Sequence, residues 1–174
     1  MKSFFYTQPL SIELTPLTSV YDEEGHEVLR FQRYYSNKLK KIIDRTLDYR
    51  YFLDYRVYDL NDQLLFVCKK ISRKGRVYYI ARDVQTMDDY MISYDKWKEL
   101  VSDLLITGKD FQIVIDKEME SSWSRFLYKD KEIARWKADV AEEFTVHLEI
   151  EEDSPITNPA FFLAISQCVL FIGA

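Results

Sequence analysis

The sequence predicts a mainly β fold, a closed antiparallel barrel of about twelve strands around a central hydrophobic helix at the C-terminus. Three observations predict it. Strand-type runs parted by short polar turns recur along the chain, spaced as in an all-β sandwich or barrel. Aromatic residues make up 16% of the 174 residues, with thirteen Tyr and eleven Phe, and such side chains fit a pleated surface. The run from Asn158 to Ala174 carries no charge, although charged residues are 30% of the chain. A helix that is apolar on every side must be enclosed by protein or by lipid.

The strands follow in order. Ser3 to Thr7 and Leu10 to Leu14 are short β-type runs split by Pro9. Thr18 to Tyr21 and Glu27 to Tyr34 flank the turn Asp22-Glu23-Glu24-Gly25-His26, a hairpin signature. From Tyr51 to Asp59, Tyr51, Leu53, Tyr55 and Val57 share one face, opposite Asp54 and Arg56. Gln63 to Ile71 and Arg76 to Arg82 flank a turn at Arg73-Lys74-Gly75, and Tyr90 to Ser93 is a further short strand. Phe111, Ile113 and Ile115 then alternate with polar or smaller neighbours. Ser122 to Tyr128 and Glu132 to Ala138 flank Lys129-Asp130-Lys131, and Phe144, Val146, Leu148 and Ile150 share a face.

Two segments read as helix instead. Leu39, Ile42, Ile43 and Leu47 recur at helical spacing, with Ser36 or Asn37 as N-cap and Lys38, Lys41 and Arg45 on the opposite side. Trp97, Leu100, Val101, Leu104 and Leu105 repeat the pattern behind Asp95, although Leu104 to Thr107 reads equally as strand. The terminal helix is expected over 158–173, with Asn158 as N-cap, Pro159 at its first position and Gly173 as its stop.

Geometry places that helix inside the barrel. About 16 helical residues span about 24 Å, short of the roughly 20 apolar residues that cross a bilayer. Strands of about eight residues, tilted about 40°, build a barrel about 20 Å tall. Twelve such strands close at a backbone radius of about 12 Å, which leaves about 6 Å for inward side chains around a helix of radius 5–6 Å. Eight strands would close at about 8 Å, too tight for a helix.

Composition bounds the rest. One domain over residues 1–174 is the natural expectation at this length. A formal net charge of −5 argues against a dedicated nucleic-acid binder. Cys68 and Cys168 make neither a disulfide framework nor a metal spacing, and read as small buried hydrophobes. The apolar stretch after Met1 is too short for a signal peptide, so a reducing cytosol is the expected compartment.

In organisation the chain resembles the tubby C-terminal-like domains, the group that includes tubby, LURP-one-related proteins and phospholipid scramblases. The segment Ile150-Glu151-Glu152-Asp153-Ser154-Pro155 through Asn158-Pro159-Ala160-Phe161-Phe162-Leu163-Ala164-Ile165 is similar to that family's acidic turn followed by a core helix. Arg135-Trp136-Lys137-Ala138 is similar to the preceding hairpin. In character the chain is closest to small members from Gram-positive bacteria. The resemblance implies a barrel around a helix and a non-catalytic binding or scaffold role. In tubby itself, basic barrel residues bind a phosphoinositide, but no position-by-position match carries that site over.

Chemistry-bearing motifs are few. There is no Gly-rich phosphate loop, nucleophile elbow or metal-ligand cluster, so no catalysis and no cofactor are expected. His26 and His147 read as ordinary surface residues, and the acidic turn at Asp22 lacks the ligand spacing of a calcium loop. Asp88 with Asp89, and Glu118 with Glu120, are pairs of the kind any acidic protein contains. Two basic clusters stand out: Lys38, Lys40, Lys41 and Arg45 on one amphipathic helix, and Lys69, Lys70, Arg73, Lys74 and Arg76 at a hairpin tip. Clustered cations of this kind attract the phosphates of anionic lipid headgroups; the plainer reading is a solvated tip protected from edge pairing. The candidate lipid-binding residues are therefore Lys38, Lys41, Arg45, Lys69, Lys70, Arg73, Lys74 and Arg76. The expected partners are an anionic phospholipid or membrane surface, or another protein, with a cytoplasmic location peripheral to the membrane. The alternative is a tail-anchored protein whose final helix enters lipid.

Overall fold

Alternating inward and outward side chains build twelve strands, and each strand pairs antiparallel with its sequence neighbours. In order they are β1 (Lys2–Thr7), β2 (Thr18–Asp22), β3 (Glu27–Arg33), β4 (Asp54–Tyr58), β5 (Leu64–Arg73), β6 (Arg76–Asp83), β7 (Asp89–Tyr94), β8 (Leu104–Thr107), β9 (Gln112–Asp116), β10 (Ser124–Tyr128), β11 (Lys131–Asp139) and β12 (Thr145–Ile150). The structure is a computed structural model and describes residues 1–9, 15–73, 76–94, 103–117, 122–139 and 144–171. The meander closes where β1 meets β12, from Lys2 opposite Ile150 to Thr7 opposite Thr145. Closure leaves no free sheet edge among the described strands.

Turn chemistry matches the strand order. Lys129 and Asp130 both take positive φ (50° and 61°), as a two-residue turn between β10 and β11 requires. At the β2–β3 turn, Asp22 Oδ1 accepts from the backbone N–H groups of Glu24 (3.0 Å) and His26 (2.8 Å), and Gly25 supplies a φ of 80°.

The interior is filled by every second residue of the strands, among them Tyr6, Phe31, Val57, Phe66, Tyr79, Ile92, Ile106, Ile113, Phe126 and Leu148. The axis is filled by helix α2 (Pro159–Ser166), which continues as a π-helical turn over Gln167–Phe171. Asn158 caps it, its Oδ1 accepting from Ala160 N at 3.0 Å, and Pro159 stands at the first turn. All side chains from Ala160 to Val169 are buried. The Phe161 ring meets Phe66 and Tyr90 edge-on at 5.7 and 5.2 Å, and Phe162 meets Phe126 at 5.1 Å. Protein, not lipid, encloses the apolar helix. No helix among the described residues is long and apolar enough to cross a membrane.

Of the side-chain amide and hydroxyl groups on this helix, only the Gln167 nitrogen finds partners on the barrel; Gln167 Oε1 and Ser166 Oγ are buried without one among the described residues. Gln167 Nε2 donates to Tyr6 Oη and to Gln8 Oε1 (3.1 Å), and Trp136 Nε1 also donates to Tyr6 Oη (3.3 Å). Burial raises the Tyr6 hydroxyl above its ordinary range, so it stays neutral. Cys68 and Cys168 are free and buried, and burial together with the neighbouring Cys168 raises the Cys68 thiol.

One open reading is decided, some expectations fall outside the described residues, and one is revised. Of the two readings open for Leu104–Thr107, the strand holds: it is β8, hydrogen-bonded to both β7 and β9. Asp95, Trp97, Leu100 and Val101 of the expected second helix lie outside the described residues, as do Leu10 to Leu14 and residues 172–174. The strand expected from Tyr51 begins only at Asp54, because the N–H groups of Tyr51 and Phe52 donate to the Asp44 carboxylate instead of a ladder.

Candidate functional site

Strand β3 delivers its last inward side chain, Arg33, to one mouth of the barrel, and the chain then forms helix α1 (Lys38–Thr46) before returning as β4. Asn37 caps α1, its Oδ1 accepting from Lys40 N at 2.8 Å. Asp48 and Tyr49 at positive φ (52° and 58°) end it and turn the chain back. Helix α2 runs toward this same mouth, since Gln167 reaches Tyr6 and Gln8 at the end of β1.

A polar clasp holds α1 to the barrel. Arg33 Nη2 donates to Asp44 Oδ2 at 2.6 Å and to the carbonyls of Tyr49 (2.6 Å) and Phe52 (3.3 Å). Tyr35 Oη donates to the same carboxylate oxygen at 2.7 Å. Asp44 Oδ1 accepts from Tyr51 N (2.9 Å) and Phe52 N (3.0 Å). Asp44 is fully buried and Arg33 is 5% exposed. These donors take the place of water around the buried side chain.

Because Asp44 faces the barrel, the apolar side of α1 faces away from it. Leu39 is 64% exposed and Ile42 63%, with Ile43 and Leu47 also exposed. On a helical projection of about 100° per residue, Lys38, Lys41 and Arg45 flank one side of this apolar ridge and Lys40 the other.

Hairpin β5–β6 rises at the same mouth. Lys70 N donates to Leu53 O and Lys70 Nζ to Arg50 O, both at 2.8 Å. Between α1, β4 and β5 lies a groove of about 310 Å³ whose lining includes Tyr34, Tyr35, Lys40, Arg56, Lys69 and Lys70. The Arg56 guanidinium stacks on the Tyr34 ring at 3.4 Å, and the Lys40 ammonium lies 5.6 Å from the Phe52 ring. Four cations line the groove against one carboxylate, Asp54. Burial raises Asp54 above the usual carboxylate range, opposed by Arg56, and burial lowers Lys70. Partly desolvated cations on fixed aromatic and backbone supports suit an anion.

The structure brings Lys69 and Lys70 together with Lys40 in this groove. Lys38, Lys41 and Arg45 do not line it; they lie along α1. Arg73 and Arg76 face each other across the hairpin, beyond the groove, and Lys74 lies outside the described residues. Arg56, read from the sequence only as the polar side of a strand, belongs to the groove; alternation placed it on the outer face, but nothing local to it foretold the Tyr34 ring.

The remaining candidates are absorbed by ordinary contacts. His26 is exposed, with Nδ1 3.3 Å from Glu24 and 3.7 Å from Asp22. Asp88 accepts from Lys109 Nζ at 2.8 Å, while Arg82 donates to both oxygens of Asp89 at 2.6 and 2.7 Å. Glu118 and Glu120 lie outside the described residues. Among the described residues no group of three or more His, Cys, Asp or Glu is placed to hold a metal ion. A second, wider groove of about 700 Å³ lies at the opposite end, where Lys109 and Lys129 are balanced by Asp110 and Asp130.

A closed barrel threaded by its own apolar helix, with a cationic groove at one mouth, defines a binding module. The chain belongs to the Tubby C-terminal like domain family, whose family model matches residues 4–172. Domains of this family are in general non-enzymatic. Searches of curated proteins and of solved structures found no match to the chain.

Proposed function

We propose that this chain is a non-catalytic module that associates with anionic membrane surfaces through the α1 end of its barrel, taking a phosphorylated lipid headgroup in the groove between α1, β4 and β5. One observation carries the reading. Two basic clusters about thirty residues apart in sequence, represented by Lys40 and by Lys69 with Lys70, converge on one groove in an otherwise acidic protein. Family membership supports it, since tubby-like domains in general bind phosphoinositides and other lipids.

The test is co-sedimentation with vesicles at low salt. Neutral phosphatidylcholine vesicles are expected to leave the protein in the supernatant, and vesicles containing phosphatidylserine or a phosphoinositide to pellet it. Comparable pelleting by both, or by neither, defeats the reading.

A further inference from the structure

We propose that α1 is a wedge that enters the bilayer, with Leu39, Ile42 and Ile43 lodged at the boundary between headgroups and acyl chains. The inference rests on the membrane reading above and adds the mode of attachment: insertion of an apolar ridge, not surface charge alone.

The first ground is how α1 is held. An amphipathic helix on a globular protein ordinarily turns its apolar stripe to the core. Here Asp44 takes the inward position and is bound by Arg33, Tyr35 and two backbone N–H groups. These bonds fix the rotation of the helix about its axis, and the apolar ridge is held outward. Leu39 and Ile42 keep nearly two-thirds of their surface in water. Leu47, at the helix end, and Tyr51, beyond it, are also exposed, at 44% and 45%.

Charge supplies the second ground, because it selects the occupant. The only acid in α1 is Asp44, and it is buried. No carboxylate of α1 therefore faces outward, while Lys38, Lys40, Lys41 and Arg45 border the ridge. Cations beside an apolar stripe match a bilayer in cross-section, since long basic side chains reach up to the phosphates while the stripe sits lower. Tyr51, exposed shortly after α1 ends, suits the headgroup level, where amphipathic aromatic rings accumulate.

Position is the third ground. Lys40 belongs both to α1 and to the groove, so a headgroup held there lies beside the ridge. A helix of nine residues is about 13 Å long, enough to lie in the interface and too short to cross it.

The decisive experiment uses Ile42→Trp and phosphatidylcholine–phosphatidylserine vesicles with bromine on the upper acyl carbons. The wild-type chain, with its three native Trp, is the blank. Emission attributable to the new Trp is expected to shift to the blue and to be quenched by the bromines. In parallel, Leu39→Gln with Ile42→Gln is expected to weaken vesicle partitioning at least about tenfold, and the residual binding is expected to fall more steeply with salt. A thermal melt of each variant reads folding separately, and the Trp reporter stands even if the double variant melts early. Anionic vesicles that pellet the Ile42→Trp chain without quenching it overturn the wedge and leave the groove reading standing. Vesicles that fail to pellet the wild type overturn both. A lipid-free dimer dissolved by the double variant assigns the ridge to a second copy and also overturns the wedge.

Discussion

Arg33 Nη2 lies 2.6 Å from Asp44 Oδ2, joining the last residue of β3 to the inward side of α1 eleven residues later. Both side chains are buried. This pair decides which way α1 faces. A helix seated by its apolar stripe would hide Leu39 and Ile42, whereas one seated by a carboxylate displays them. The orientation of one ion pair thus sets the chemistry of the surface at this end of the barrel.

Removing either member of the pair should be severe. Asp44→Asn leaves the Arg33 charge buried without its counter-ion, and the expected loss is about 3–5 kcal/mol of unfolding free energy. Urea unfolding followed by circular dichroism measures it. Replacing both residues, as Arg33→Met with Asp44→Leu, should cost less than the two single changes summed, because no lone charge remains. Additive losses would show that the two side chains act independently.

The central helix should be equally unforgiving. Phe162 is fully buried and packs edge-on against Phe126 and Phe161, both at 5.1 Å. Phe162→Ala is expected to cost about 3–5 kcal/mol. Phe162→Asp, or deletion of residues 158–174, should yield insoluble protein, because the barrel then carries a buried charge or an empty apolar interior. Size-exclusion chromatography and a thermal melt check this. A truncated chain that remains monomeric and melts cooperatively would contradict the role assigned to the helix.

The strands and their plug were legible because their signals are local. Val146, Leu148 and Ile150 alternate on one face whatever they pair with, and a chargeless run behind Asn158-Pro159 demands enclosure wherever it lies. Closure itself entered only through the room a helix needs; no spacing reveals that Lys2 pairs with Ile150. The site was half legible. The helical spacing of Leu39, Ile42 and Ile43 marks an apolar stripe, but which side faces the barrel depends on Arg33 reaching Asp44. Likewise Lys69 meets Lys40 and Arg56 only because Asp54 is in register with Lys69, a fact of pairing rather than of composition. Leu104 to Thr107 read equally as helix end or strand, and only pairing with β7 and β9 decided for strand.

Acid should weaken the fold in part through Glu27. Side-chain hydrogen bonds from Arg30 and then Ser19 hold its carboxyl down, from an ordinary 4.5 to about 2. A group lowered on folding contributes stability above its unfolded value and loses it as pH falls through the folded one. The contribution is therefore whole above about pH 4.5 and gone near pH 2. Glu27→Gln should lower stability at neutral pH and flatten the decline between those limits, as read from urea midpoints against pH. Curves that run parallel for the two proteins would remove Glu27 from the acid transition.

Binding at the groove should depend on where charge lies rather than how much there is. Lys40→Gln and Lys69→Gln each remove one cation from the groove, and a cation near an anionic surface contributes about 1 kcal/mol, or roughly fivefold in partitioning. Lys109→Gln removes the same charge from the opposite end of the barrel, where its side chain is 79% exposed and its ammonium paired with Asp88. With vesicles of fixed phosphatidylserine content, the first two variants should bind about fivefold more weakly and the third like the wild type. The difference should shrink as salt rises toward 0.15 M, where screening reaches about 8 Å. Equal losses in all three would mean that net charge alone draws the protein to the vesicle and that the groove has no part in holding it.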